Sequence, residues 1–112
     1  MALPEVGSLL RIYVGESDKW EGRPLYEVIV HAAREAGLAG ATVLRGVMGY
    51  GRHSRMHTAK ILRSSEDLPV VIEIADAAEK VDAFLPTLDE IVLEGLVTVE
   101  KVRVLRYGGG HA

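Results

Sequence analysis

The spacing of apolar residues switches between a period of two and a period of 3.6 along this chain, and the order of the switches limits the fold more than any other feature. Leu9-Leu10-Arg11-Ile12-Tyr13-Val14 alternates, with Leu10, Ile12 and Val14 on one face, and predicts a strand. Leu25, Val28, Ile29, Ala32, Ala33 and Ala36 recur at helical spacing. Pro24 suits the first turn and Gly37 the position after the C-cap, so a helix is expected over Pro24–Ala36. Ala41–Met48, rich in Thr and Val, predicts a second strand, and Val70–Ile74 another. Between them, Thr58–Arg63 reads as a short strand or an extended loop. A second helix follows, with Asp76 as N-cap, Glu79 in capping-box position and a buried stripe of Val81, Phe84, Leu85, Leu88, Ile91 and Val92. Pro86 should kink or restart it, and Gly95 should end it.

Leu96–Arg106 is the last expected strand. Its valines do not alternate cleanly, because Val97 and Val99 are out of phase with Val102 and Val104. A bulge would explain this, and so would burial of both faces in an oligomer. The predicted order is strand, helix, strand, strand, helix, strand. That is an α+β, ferredoxin-like βαββαβ sandwich: a four-stranded antiparallel sheet with two helices on one face. The other face must meet solvent or another subunit, with Leu9, Tyr13, Val71, Val97 and Val99 as its candidates. Residues 1–107 form one domain on this reading, and the glycine-rich 108–112 a flexible tail.

Composition narrows the function. The 112 residues are 48% hydrophobic and 26% charged, as in ordinary soluble domains. There is no cysteine, hence no disulfide framework and no thiolate chemistry. The N-terminus lacks a signal-peptide pattern, and no apolar run reaches the ~18 residues that would span a bilayer. A cytoplasmic location is expected. A net charge of −3 argues against nucleic-acid binding, which needs a broad cationic face.

The charge is nevertheless uneven. No Asp or Glu occurs from Ala36 to Ser65, while Arg52, Arg55, Lys60 and Arg63 cluster there behind Gly46, Gly49 and Gly51. Glycine lets backbone approach a ligand closely, and uncompensated cations attract an anion. Gly49, Gly51 and Arg52 are therefore the leading binding candidates. His53 and His57 are four apart, but neighbouring arginines and the lack of a nearby carboxylate argue against a metal. No cofactor is expected. The Glu16–Lys19 loop offers no nucleophile with its base, so Ser17 or Asp18 is expected to bond local backbone and Trp20 to anchor the loop.

Several blocks then carry a resemblance. Gly15-Glu16-Ser17-Asp18-Lys19-Trp20, Gly40-Ala41-Thr42-Val43, Arg45-Gly46-Val47-Met48-Gly49-Tyr50-Gly51, His57-Thr58-Ala59-Lys60-Ile61-Leu62 and Ser65-Glu66-Asp67-Leu68-Pro69-Val70-Val71 resemble the DUF190 (UPF0166) family. Its members are small bacterial and archaeal proteins with a fold like the PII nitrogen-signalling proteins. The resemblance implies a ferredoxin-like subunit assembled as a homotrimer. Gly49-Tyr50-Gly51-Arg52-His53 with His57-Thr58 is also similar to the PII junction into the mobile T-loop, with His53 where PII has Gln. That implies a ligand site between subunits, with Gly49, Gly51, Arg52 and His53 in it. Arg55 and Lys60 are further candidates, and so are Arg103 and Arg106, since PII proteins use basic residues near the end of their last strand. The connection at Glu94-Gly95-Leu96 is shorter than the PII phosphate loop, so the ligand expected is a small anion, or a nucleotide with fewer phosphates than ATP. The expected function is that of a regulator rather than an enzyme, with the basic loop read by a protein partner such as a membrane transporter or an enzyme. A ligand-free interaction module is the alternative, and a phosphate-ester hydrolase or transferase comes last.

Overall fold

The computed structural model of the protein describes residues 5–51, 57–58 and 67–107. Strand β1 (Val6–Gly15) begins three residues earlier than its alternation suggests, and Leu10 and Ile12 are fully buried. The loop after it contains a small hairpin, β2 (Lys19–Trp20) with β3 (Arg23–Pro24). Its two tip residues, Glu21 and Gly22, both have positive φ, which matches the twist of paired strands. Trp20 packs against the core, the anchoring role expected of it.

Helix α1 (Leu25–Glu35) buries Leu25, Val28, Ile29 and Ala33. Pro24 is its N-cap, one position before the expected first turn. The C-terminal end is a Schellman motif: Gly37 has φ +80, the Gly37 amide donates to the Arg34 carbonyl, and the Leu38 amide donates to that of Ala33.

The strand expected over Ala41–Met48 is split. Only β4 (Thr42–Arg45) joins the main sheet, while β5 (Met48–Gly49) pairs with β6 (His57–Thr58). The reason lies in its neighbour. Strand β7 (Pro69–Asp76) begins at a proline, and the Gly46 amide reaches the Pro69 carbonyl at 2.7 Å as the last tie. Beyond that point no described residue continues the pairing of β4 in the main sheet.

Helix α2 (Ala78–Ile91) runs through Pro86 as one element rather than restarting, and buries Val81, Phe84, Leu88 and Ile91. The capping box does not form. Ala77 is the N-cap, and Asp76 is instead the buried last residue of β7. Its carboxylate accepts from the Ala39 amide at 2.9 Å and the Ala77 amide at 2.6 Å. Local spacing favoured a cap, but the strand's register won the residue.

Strand β8 (Leu96–Arg103) completes a four-stranded antiparallel sheet of order β4-β7-β1-β8, with two helices against it. This is the expected ferredoxin-like architecture. Cross-strand partners share a face, so Leu10 with Ile74 and Ile12 with Ile72 build the helix-covered core. Leu9, Tyr13 and Val71 lie on the opposite, uncovered face, as expected. Val97 and Val99 do not. They pair with Ile12 and Leu10 and so belong to the helix side, yet remain 38% and 44% exposed. The register of β8 against β1 is one-to-one throughout, so no bulge explains its irregular pattern. The expected 108–112 tail lies outside the described residues.

Candidate functional site

The end of the sheet where β1 finishes and β7 and β8 begin is built from backbone and carboxylates. Asp18 accepts a hydrogen bond from the Gly15 amide at 2.9 Å, confirming its local backbone role. Asp67 accepts from the Ser17 amide at 2.8 Å, and the Glu16 amide donates to the Leu68 carbonyl at 2.8 Å. These bonds clamp the 15–18 turn onto the segment entering β7. Arg45, at the end of β4, pairs with Glu16 and draws the edge strand toward the same corner.

Pro69 organises the opposite wall. A Cβ on Gly46 would come within 2.8 Å of its Cγ, and one on Gly49 within 3.1 Å. Both glycines therefore permit the β4–β5 chain to pass close over the proline ring. Gly51 differs, because a Cβ there would meet nothing within 4 Å. No described residue requires its small size.

These elements enclose a cleft of about 490 Å³. Tyr13, Pro69 and Leu96 form its floor, Gly49, Tyr50 and Gly51 one wall, and Leu93, Glu94 and Gly95 another. The last group belongs to the connection between α2 and β8. That connection is Val92–Gly95, four residues rather than the three, Glu94–Leu96, expected from sequence. Asp18 and Asp67 also line the cleft. With Glu94 they make the described lining acidic, which the basic sequence nearby did not foretell.

Gly49 and Gly51 are thus brought to one cleft. Arg52, His53, Arg55 and Lys60 lie outside the described residues. Arg103 and Arg106 are not brought to it within one chain. Leu96 borders the cleft, whereas Arg103 ends the same strand about 23 Å away at 3.3 Å per residue, 3.7 Å from Glu5. Sequence reading missed Tyr13, Asp67 and Pro69 as cleft residues. The Asp67-Leu68-Pro69 run was legible as a turn and strand start, but not as the pivot over which β4 must cross.

On the uncovered sheet face, Arg11 bridges Glu73 at 3.0 Å and also pairs with Glu100. The hydrogen bond to Glu73, then that to Glu100, holds the Arg11 guanidinium above its usual pKa. A raised cation pKa contributes stability that is complete below the unfolded value and is lost only as pH rises through the folded one. Arg11 therefore stays charged throughout the working pH range.

A ferredoxin-like sheet with two helices on one face, and a cleft at the β4–β5 junction, defines a PII-like fold. Among solved structures, the chain is similar to CPII, a nitrogen regulatory PII-like protein from Thiomonas intermedia K12 bound to ADP, AMP and bicarbonate. That likeness has a TM-score of 0.63 at 23% identity and covers 90% of both chains. The divalent ion tolerance protein CutA1 from Ehrlichia chaffeensis shares the fold at a TM-score of 0.60 and 11% identity, over 96% of this chain and 88% of its own. The chain belongs to the DUF190 family (Uncharacterized ACR, COG1993), whose profile matches residues 7–104. It is 40% identical over 97 residues to a UPF0166 protein of Aquifex aeolicus, covering 87% of this chain and 91% of that one.

Proposed function

We propose that this protein is a PII-like regulator rather than an enzyme. It assembles as a homotrimer, binds a small anion of the nucleotide class at clefts between subunits, and presents its basic loop to a protein partner. The observation that carries this reading is the cleft itself, which lies at the root of the basic segment with the backbone of Gly49 and Gly51 in its wall. Arg52 follows Gly51 directly in sequence and is the first cation available to a ligand there. The nucleotide class is supported by CPII, which has the same fold and is bound to ADP and AMP.

Self-association is supported by β8. With the bulge excluded, its apolar residues on both faces fit burial from both sides, and a second copy supplies that cover. Arg103 and Arg106, remote from the cleft of their own chain, then become available to a neighbour's. Switching follows the usual logic: a ligand that binds one loop state more tightly shifts the population toward it.

One observation favours a second reading. Asp18, Asp67 and Glu94 in the lining oppose an anion, as they would in a docking module that binds no small ligand. Thermal-shift titration with ADP, AMP, ATP, cyclic nucleotides, phosphate and bicarbonate separates the two. At a hundredfold excess over Kd, a ligand should raise Tm by about 10 °C. Arg52→Ala should abolish that shift and leave the trimer intact. A flat response across the panel favours the docking module, and full binding by the mutant moves the site elsewhere.

A further inference from the structure

At the end of the sheet away from the cleft, the chain does not stop where β8 stops. The Val104 amide donates to the Glu5 carbonyl at 2.6 Å, continuing the ladder with β1 by one step. The chain then leaves the sheet edge, and the Tyr107 hydroxyl donates to the Ala39 carbonyl at 2.5 Å. Ala39 lies in the turn between α1 and β4, so residues 104–107, through the Tyr107 side chain, link the β8 edge of the sheet to the turn that leads into β4. Four strands separate the β8 and β4 edges by about 14 Å at the usual spacing. Three residues of extended chain and one tyrosine side chain are enough to cover that distance.

The Ala39 turn is gripped from two other directions. Its amide donates to Asp76, and Lys80 Nζ donates to the Gly37 carbonyl at 2.8 Å. It needs such support because, among the described residues, β4 is an edge strand of four residues with one neighbour, β7. The other end of β4 leads through Gly46 into the Gly49–Gly51 wall of the cleft. A shift at Ala39 would be carried along the four residues of β4 toward that wall. The strap itself is lightly held. Leu105 is 79% exposed and Tyr107 43% exposed, so little apolar surface opposes its release.

We propose that residues 104–107 form a releasable brace across the base of the sheet, in which the Tyr107–Ala39 hydrogen bond sets the position of β4 and with it one wall of the cleft. Whatever lifts the C-terminal end away loosens that wall. The brace concerns motion of β4 in the unliganded protein and stands whether or not the cleft binds an anion. Its test therefore fails separately from that of the proposed function.

The test is amide hydrogen exchange, followed by NMR on the full chain, for wild type, Tyr107→Phe and Leu105→Ala. The reporter is the Gly46 amide, hydrogen-bonded to Pro69 at the cleft end of β4. Removing the tyrosine hydroxyl should speed exchange at Gly46 and through β4 about fivefold, the loss expected for one hydrogen bond. Core amides of Leu10–Val14 and Val70–Ile74 should keep their rates, and Leu105→Ala should match wild type. The brace is overturned if acceleration stops at Ala39, if core amides accelerate equally, or if Leu105→Ala reproduces the effect.

Discussion

Gly95 shows how one residue can decide the shape of the cleft. Its φ of +150 is a conformation that side chains rarely adopt, and a Cβ there would sit 2.7 Å from the Tyr13 carbonyl and 3.1 Å from Val92. Gly95→Ala is expected to lower stability by about 2–4 kcal/mol, combining backbone strain with overpacking. The urea-unfolding midpoint checks this. Gly49 and Gly51 look equivalent in sequence but are not. Gly49 answers to Pro69 within its own chain, while a Cβ on Gly51 would meet no described residue within 4 Å. Of the two, only Gly49 has its smallness explained by a described residue. The sequence identified both glycines and could not separate them, because the difference depends on a proline about 20 positions away.

At the scale of elements, the joints matter more than the elements. β1, α1, β7 and α2 were legible from periodicity because each buries one face, and burial imposes a period. Their ends were not, because ends answer to neighbours. Asp76 is the clearest case. Placed as a helix cap by spacing, it is a buried acceptor that ties the α1–β4 turn to the end of β7. Asp76→Ala would leave the Ala39 and Ala77 amides without this acceptor. The expected loss is about 2–4 kcal/mol in chemical denaturation, well beyond the ~1 kcal/mol of an exposed cap. The split of β4 from β5 has the same origin, since β4 extends only as far as β7 offers partners. The β2–β3 hairpin was signalled only by Glu21-Gly22, too little to distinguish it from a loop.

For the whole molecule, the open question is what covers β8. Val97 and Val99 stand on the helix side of the sheet yet remain partly exposed, and Leu96 stands exposed on the other side. A trimer that buries this strand predicts a specific outcome. Val99→Glu should give a folded monomer in small-angle scattering, with unchanged circular dichroism, where wild type gives a trimer. Failure to fold, or a trimer as robust as wild type, would place the interface elsewhere. The described part of the chain contains no helix long and apolar enough to cross a membrane.

Alternation and helical spacing in the sequence were enough to determine the order of the main elements and the core residues of β1, β7 and both helices, while blocks of exact residues such as Arg45–Gly51 carried the family. The elements and core follow from local burial patterns, which repeat at fixed short intervals. Only the tertiary structure decided which side of the sheet Val97 and Val99 occupy, that Arg103 and Arg106 lie far from the cleft of their own chain, and that carboxylates line it. It alone also revealed the strap from Val104 to Tyr107. Each of these depends on strand register and chain crossing, which bring together residues dozens of positions apart and leave no period in the sequence to read.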